Sequence, residues 1–571
     1  MVNKKQVVKT LEWIALYLEI KGENSFKISA YRKAANALEA DDRPMNEITD
    51  PAQINGIGKG TAQVIMEMME TGKSSLLEEL QSSLPEGLFT LLDVPNLGGK
   101  KIAKLYSELG VTDIDSLKEA CENGQVRTLA GFGAKTEEKI LKSLESIGKR
   151  PDRLPIAYML PVAEGIEYEL SLMEAIEKFS RAGSLRRGSE TIKDLDFIIS
   201  TNRPEEVKNQ LVALPNITEI IAQGPTKVSI VVERDFSISI DFRLVKPEEF
   251  ATTLHHFTGS MAHNVKMRQL AKERGEKISE YGVEVLDSGK VLHFETEEAF
   301  YQHFGLNWIP PEVREGTDEI EMFQKAHRLI ELEDIKGDLH MHSTWSDGAH
   351  SLEEMAQEAM EKGYEYMAIT DHSQYLRVAN GLTPERVRMQ RKEIDRLNKK
   401  FNGFKILAGI EMDILPDGSL DYDDDLLEEM DFVIASIHSS FSQSRQKIMD
   451  RLKTALENKH VDLIAHPTGR LIGRRDGYDV DVEELIRLAA QTGTALELNA
   501  NPNRLDLASN WLKLAQENGV MLSINTDAHY KETMKHMNIG ISAARRGWIA
   551  KENVLNTMSL SQLEKYLQRN K

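Results

Sequence analysis

The sequence predicts a multidomain chain: an all-α N-terminal region, an α+β middle and a C-terminal (β/α)7 barrel. Three observations lead there. Its 571 residues exceed a single core, and at roughly 150 residues per domain the length suggests about four domains. Up to residue 150, amphipathic helical stretches are separated by glycine turns, with almost no alternating strand. Beyond residue 336, strand-like and helical runs alternate to the end, as parallel strands with crossover helices do.

Composition narrows the function classes. The 91 Asp+Glu against 71 Lys+Arg give a formal charge of −20, which taken alone argues against a protein that holds a polyanion. Hydrophobic residues at 41% build cores and charged residues at 28% keep the chain soluble, so disordered and collagen-like classes are excluded. No apolar run approaches the roughly 20 residues that span a bilayer, and Met1-Val2-Asn3-Lys4-Lys5 lacks the features of a signal peptide. The single cysteine, Cys121, rules out an intramolecular disulfide and fits a reducing cytosol. Any metal must therefore be held by histidine and carboxylate.

In the helical region one theme recurs: Ile54-Asn55-Gly56-Ile57-Gly58-Lys59-Gly60, Val94-Pro95-Asn96-Leu97-Gly98-Gly99-Lys100-Lys101 and Leu129-Ala130-Gly131-Phe132-Gly133-Ala134-Lys135. Each puts glycines before an amphipathic helix, where backbone N–H groups face a phosphate oxygen with no side chain between. One such turn is weak evidence, because glycine ends helices everywhere. Three make the helix-hairpin-helix pattern, a sequence-independent grip on a nucleic-acid backbone, with Gly56, Gly58, Gly98, Gly99, Gly131 and Gly133 as its DNA-binding positions. A grip made of amides needs little positive charge, which weakens the inference from −20.

In the middle region, strands are expected at 194–200, 228–233 and 236–242. Asp194-Leu195-Asp196-Phe197-Ile198-Ile199 alternates, so its two carboxylates share one face. Two acids on one face repel unless a cation sits between them, and Ile238-Ser239-Ile240-Asp241-Phe242 offers a third from another strand. Three carboxylates can hold two Mg²⁺ ions, one activating a hydroxyl and one neutralising a leaving phosphate. Asp-x-Asp by itself is more often a solvated strand. Here Gly183-Ser184-Leu185-Arg186-Arg187-Gly188 precedes it: small residues for backbone approach to phosphate, a hydroxyl from Ser184 and the planar donor fork of Arg187.

Gly-Ser followed by an Asp pair is the signature of the nucleotidyltransferase fold, and its fuller form here resembles the family X DNA polymerases, which are DNA polymerase beta-like. His255-His256-Phe257-Thr258-Gly259-Ser260 matches that family's sugar-packing segment, and Asn264 and Arg268 match its minor-groove contacts to the nascent base pair. The resemblance covers residues 1–315. It implies a palm and thumb in which Asp194, Asp196 and Asp241 are catalytic metal ligands for Mg²⁺ or Mn²⁺. Gly183, Ser184, Arg187, Phe257, Gly259, Ser260, Asn264 and Arg268 would then bind the nucleotide. It also implies that Lys27, Tyr31 and Arg32 lie on a helix binding the 5′-phosphate of a DNA end. This chain departs at His256, where the family commonly has Tyr, so that side does not account for exclusion of ribonucleotides. It departs again at Val64 and Gly60, where 5′-deoxyribose-phosphate lyases of the family carry lysines. Without an amine no imine forms, so DNA-end binding is expected without the usual lyase chemistry.

The C-terminal part carries a second constellation. Seven strand-like runs, 338–342, 367–370, 405–414, 432–438, 463–466, 495–499 and 522–527, suggest a seven-stranded parallel barrel. Metal-ligand types collect at or just after their C-terminal ends: His340, His342, Asp347, His372, Glu411, His438, His466, Asp527 and His529. Sites assemble at that end of a parallel barrel, and only the sixth run lacks an obvious ligand. Mixed imidazole and carboxylate suit Zn²⁺, Mn²⁺ or Fe²⁺ rather than Ca²⁺. Nine ligands are too many for one ion and fit a cluster of two or three that clamps a phosphate ester.

His-x-His at 340–342, Thr370-Asp371-His372 and Asp527-Ala528-His529 together resemble the polymerase and histidinol phosphatase (PHP) domain, a distorted (β/α)7 barrel, with all nine positions of an active member occupied. This implies two or three Mn²⁺ and/or Zn²⁺ ions, with His340 and His342 catalytic. A family X polymerase joined to a PHP domain resembles the bacterial form of the family. That form implies gap filling in DNA repair, including base excision repair, joined to a 3′-5′ exonuclease, with abasic-site cleavage or 3′-end cleaning as further activities. Gapped or nicked DNA and deoxynucleoside triphosphates are the implied partners of a cytoplasmic, DNA-associated monomer with no membrane contact. Three alternatives stay open: a small-molecule phosphomonoesterase or a structural support for the barrel, and a template-independent nucleotidyltransferase for the other half.

The expected domains are 1–85 (DNA-end binding, helix-hairpin-helix), 86–150 (a second helix-hairpin-helix, fingers-like), 151–315 (palm and thumb), 316–335 (linker) and 336–571 (PHP). The linker rests on the Pro310-Pro311 pair and the acidic run in 308–325.

Overall fold

Among the described residues of the N-terminal region, seven α-helices follow one another: Lys4–Ile20, Ser25–Glu39, Lys59–Thr71, Ser75–Ser82, Gly99–Leu109, Ile114–Glu122 and Ala134–Ser146. They belong to a computed structural model that describes residues 4–39, 45, 48–94, 97–146 and 152–568. The chain forms two compact units, Met1–Pro151 and Asp152–Lys571.

Local sequence sets the ends of these helices. Gly72 and Gly110 close two of them in the left-handed conformation. Asp113 opens another with a capping box, its side chain accepting from Ser116 N–H. Apolar positions at helical spacing, among them Leu11, Ile14, Leu18, Leu38, Ile65, Ile102, Leu105 and Leu117, bury into one core, which also encloses Cys121.

In the second unit a five-stranded sheet runs, in spatial order, Lys178–Arg181, Leu195–Ser200, Ser237–Val245, Lys227–Glu233, Ile217–Gln223. The pair Leu195–Ser200 and Ser237–Val245 is parallel and the other neighbours antiparallel. Leu195, Phe197 and Ile199 face inward with Ile240 and Phe242, and the Phe197 and Phe242 rings stack 5.7 Å apart. Period-2 alternation thus leaves the aspartates on the opposite face.

Helices Phe250–Thr258, Met261–Glu273 and Glu297–His303 follow, with a three-stranded antiparallel sheet between the last two. They close over a core of Met267, Phe300, Tyr301 and Phe304. The segment 308–325 is folded where a linker is expected. Ile309, Val313, Ile320 and Phe323 bury in that same core, and Glu319 Oε1 lies 2.8 Å from His263 Nδ1. Its prolines and acids hide apolar anchors too widely spaced to read as an element.

The barrel consists of seven parallel strands in chain order: Gly337–Asp338, Tyr366–Ile369, Lys405–Asp413, Phe432–Ser436, Leu463–Ile464, Ala495–Asn499 and Leu522–Asn525. A parallel bridge between Met341 and Ala528 joins its first and last segments. One apolar cluster continues from the five-stranded sheet into the barrel, through Leu154, Ile156, Leu185, Met341 and Met537. Among the described residues no helix is long and apolar enough to cross a membrane.

Candidate active sites

The three glycine turns share one geometry. Ile57 N–H donates to Ile54 O, Leu97 to Val94 O and Phe132 to Leu129 O, and these three apolar residues are buried. Gly56 and Gly131 take φ of 104° and 91°, which favours glycine. Gly58 and Gly98 cap the helices that follow, and nothing lies within 4 Å of where a Cβ on Gly58, Gly98 or Gly133 would point. Gly99 differs: the side-chain ends of Glu19 and Leu16 close over it. Pro95 and Asn96 of the second turn lie outside the described residues.

On helix Ser25–Glu39, Lys27 pairs with Glu23 at 3.5 Å and Arg32 donates to Glu19 Oε2 at 2.8 Å. Tyr31 is buried, which pushes its phenol up. Val64 is buried in the core and Gly60 is exposed, so neither place offers an amine.

In the five-stranded sheet, Asp196 and Asp241 are direct partners across the parallel pair, and Asp194 lies just before the first of these strands. Burial and the carboxylates of Asp194 and Asp241 push Asp196 up to about 7, so the triad favours a cation. Lys227 Nζ supplies one, 2.7 Å from Asp241 Oδ2. Gly183, at φ 59°, packs so closely on the Asp196 carboxylate that a Cβ would collide with it. This brings the turn of helix Gly183–Arg186, with Ser184, against the acids.

Arg187 Nη1 donates to Thr258 O, and Arg186 donates to Thr258 Oγ1 at 2.7 Å, so the Gly-Ser segment is tied to 256–260. Phe257 stacks beneath Arg243, 4.5 Å from its ring centroid. Gly259 takes φ 64°, and Ser260 caps helix Met261–Glu273. Asn264 Nδ2 donates to His256 O at 2.7 Å, and Arg268 follows one turn later, exposed on the same face. The Gly-Ser segment, residues 256–260 and the start of helix Met261–Glu273 are thus held together by side-chain contacts.

At the C-terminal end of the barrel, all nine expected ligand residues come together. Ligand atoms of His342, Asp347, His372 and His529 lie within 4.8 Å of one another, as do those of His340, His342 and Asp527, and of His372, Glu411 and His438. His466 Nε2 joins at 2.9 Å from Glu411 Oε1. His340 Nε2, both ring nitrogens of His342, His372 Nδ1, Glu411 Oε2 and His466 Nδ1 are buried without a hydrogen-bond partner. Such unpartnered nitrogens and oxygens are the atoms a divalent ion satisfies once any proton on them is lost, so the donor set fits a metal cluster.

Charge is balanced within the set. Against the cost of burial, Glu497, Asp527 and Glu411 hold His340 well above its usual range. In the same way, carboxylates raise His438 to about 10 and His529 to about 9. Glu411 and Asp527 are held well below the usual carboxylate range by the histidines around them, despite burial.

Three residues that are not among the expected ligands support this set. Glu497, fully buried on the sixth strand, accepts from His340 Nδ1 at 2.7 Å and from His466 N–H at 2.6 Å, fixing the tautomer of one ligand and the backbone of another. Its signal was present: Glu497 and Asn499 alternate with Leu496 and Leu498, so the polar face of that strand points at the site. Asp371 accepts from Ser343 N–H, Ser343 Oγ and Gln390, holding the loop that carries Asp347. Asp413 faces His438 Nδ1 at 3.3 Å.

Comparisons with known proteins match four segments. Residues 2–74 match a helix-hairpin-helix domain, 89–146 a SAM-like helix-hairpin-helix tandem, 253–315 the DNA polymerase beta thumb and 338–527 the PHP domain. The DNA polymerase/3′-5′ exonuclease PolX of Bacillus subtilis (strain 168) is 61% identical over 569 residues, the full length of both chains. A probable phosphatase of Thermoanaerobacter sp. (strain X514) is 28% identical over 41% of this chain and 95% of its own length. Rat DNA polymerase lambda is 24% identical over 54% of this chain and 56% of its own.

Proposed function

The chain belongs to the family X DNA polymerases that carry a C-terminal PHP domain, and from that membership we propose that it fills short gaps in DNA and trims 3′ ends at a second site. Synthesis consumes deoxynucleoside triphosphates on a template. Excision removes nucleotides in the 3′-5′ direction, with abasic-site cleavage or 3′-end cleaning as extensions of the same chemistry. The observation that carries the reading is the convergence of unmet imidazole and carboxylate atoms at one end of the barrel, in a chain whose other half sets three carboxylates beside a Gly-Ser turn.

In the synthetic half Asp194, Asp196 and Asp241 hold divalent ions, Mg²⁺ or Mn²⁺. Ser184 and Arg187 hold the triphosphate, Phe257, Gly259 and Ser260 bracket the sugar, and Asn264 and Arg268 read the minor-groove edge. In the barrel the nine ligands hold two or three Mn²⁺ or Zn²⁺ ions. Bound ions supply the positive charge that offsets clustered carboxylates and polarises phosphate oxygens. His340 and His342 define the floor of that site, and Glu497 orients His340. Helix-hairpin-helix glycines hold the DNA backbone, and Lys27, Tyr31 and Arg32 lie on the helix assigned to a DNA end. The domain boundaries 1–85, 86–150, 151–315 and 336–571 follow this division of labour, and the enzyme acts as a cytoplasmic monomer.

A 5′-labelled primer in a gapped duplex with Mn²⁺, with and without deoxynucleotides, tests both halves. Asp194→Ala with Asp196→Ala is expected to abolish extension and leave excision. His340→Ala is expected to do the reverse. Extension surviving the first change, or excision surviving the second, overturns the corresponding assignment. Similarity to a probable phosphatase favours one second reading, a phosphomonoesterase barrel. It predicts phosphate release from small phosphomonoesters and none of the primer shortening.

A further inference from the structure

Beside the metal-ligand cluster stands a cation that the cluster does not need. Arg504 Nε lies 3.6 Å from Asp527 Oδ2. The other oxygen of Asp527 faces His340 Nε2 at 3.6 Å and His342 Nε2 at 3.3 Å. Among the described residues Asp527 is the one ion-pair partner of Arg504, and the guanidinium makes no hydrogen bond.

Its two arginine neighbours are engaged. Arg470 bonds Glu190 and the carbonyls of Arg504 and Leu505. Arg475 donates to Gly469 O at 2.9 Å and covers the Phe441 ring at 4.4 Å. The loop bearing Arg504 is firmly placed. Asp506, fully buried, accepts the N–H groups of Thr468 and Gly469, and Ile472 N–H donates to Asn503 O at 2.7 Å. Arg504 is thus held in position with its donor fork unused and partly open to solvent.

A permanent cation beside a site that gathers cations is repelled unless an anion joins them. The anion such a fork fits is a phosphate with two free oxygens. We propose that Arg504 grips the non-bridging oxygens of the phosphodiester being cut in the barrel, and so acts as a substrate-binding residue of the nuclease. This rests on the reading of the cluster as a metal-dependent nuclease. The simpler role, a counter-ion for Asp527, gives Arg504 no contact with substrate and makes it a competitor of the metal.

The test uses the full-length protein with a 5′-labelled single-stranded oligonucleotide and Mn²⁺, comparing wild type, Arg504→Ala, Arg504→Lys and His340→Ala. Arg504→Ala is expected to lower kcat/KM for excision at least about tenfold, the worth of one hydrogen bond to a charged group. Inhibition by inorganic phosphate should weaken to a similar degree. Arg504→Lys should recover part of both. Mn²⁺ binding by calorimetry and primer extension should be unchanged, which also shows the variants folded. Wild-type excision and phosphate inhibition in Arg504→Ala overturn the proposal. So does a loss of excision matched by an equal loss of Mn²⁺ binding, or tighter Mn²⁺ binding with excision intact. Excision surviving His340→Ala sinks the underlying reading instead, so the two failures are distinguishable.

Discussion

Glu190 and Arg470, 280 positions apart in the chain, meet as a two-pronged ion pair, Nη1 and Nη2 donating to the two carboxylate oxygens at 3.0 and 2.7 Å. Glu190 lies two residues after the Gly-Ser segment of the polymerase half. Arg470 lies four residues after His466 and also holds the carbonyls of the loop that carries Arg504. Beside this pair, Arg546 Nη1 donates to Arg187 O at 3.2 Å, and Gly188 packs on Ser542 so closely that a Cβ would not fit. The stretch that follows the Gly-Ser turn is thus packed against residues of the barrel beside the histidine and carboxylate cluster.

Breaking this pair should therefore touch excision more than synthesis. Glu190→Gln is expected to slow excision by roughly three- to tenfold, in the range of positioning effects, with extension nearly unchanged. The pair is partly exposed, so its loss should cost about 1 kcal/mol of stability or less. Equal slowing of both reactions would point to general loosening instead.

Gly183→Ala should damage synthesis alone. The new methyl meets the Asp196 carboxylate, and φ 59° strains an alanine by about 1–3 kcal/mol. Primer extension should fall about ten- to hundredfold. Excision measured on the same preparation serves as the control, and an unaffected extension rate would refute the packing argument.

Glu497→Ala leaves His340 Nδ1 and His466 N–H without their acceptor. Mn²⁺ affinity of the barrel should drop about 10–100-fold, as loss of a residue that orients a ligand does. Calorimetric titration reads this directly. An unchanged isotherm would mean that packing alone orients His340.

Metal binding should release protons. His438 at about 10, His529 at about 9 and His340 well above its usual range all carry protons near neutrality, and each must give one up to bind an ion. Mn²⁺ affinity should rise with pH from neutrality towards the His529 value and fall in acid. Titration in two buffers of different ionisation enthalpy should give different apparent heats. Identical heats in both buffers would contradict the assigned charges.

Glu297 should matter most away from acid. Burial opposes its charge, but Arg314 at 2.8 Å and Arg186 on its other side hold the carboxyl well below the usual range. A depressed folded-state value gives stability that is full above the ordinary glutamate range and is lost as pH falls through the folded value. Glu297→Gln should cost about 3–5 kcal/mol near neutrality, and its gap from wild type in urea unfolding should narrow in acid. A gap independent of pH would show that the cost is steric.

Much of the barrel was legible because its signals are local. Strand runs of apolar residues end in histidine or carboxylate, and the expected 495–499 run is the strand Ala495–Asn499. The aspartate pair was legible because strand alternation alone puts both on one face. Glu497 went unread because a single acid in a strand looks like a solvent-facing residue until the barrel closes around it. The 308–325 segment misled for the opposite reason: its composition is that of a linker, while four spaced apolar side chains anchor it in a core.

By itself the sequence determined which chemistry the chain carries: nine ligand types at strand ends, three aspartates beside a Gly-Ser turn, and three glycine turns. Periodicity and turn chemistry act between near neighbours, so they are written along the chain. Only the tertiary structure decided that Glu497 orients His340, that Arg504 stands beside Asp527 and that Glu190 reaches Arg470. Those relations join residues brought together by packing of separate elements, and no local propensity encodes them. The charge of −20 belongs with them, because a sum over the chain carries no information about where each charge faces.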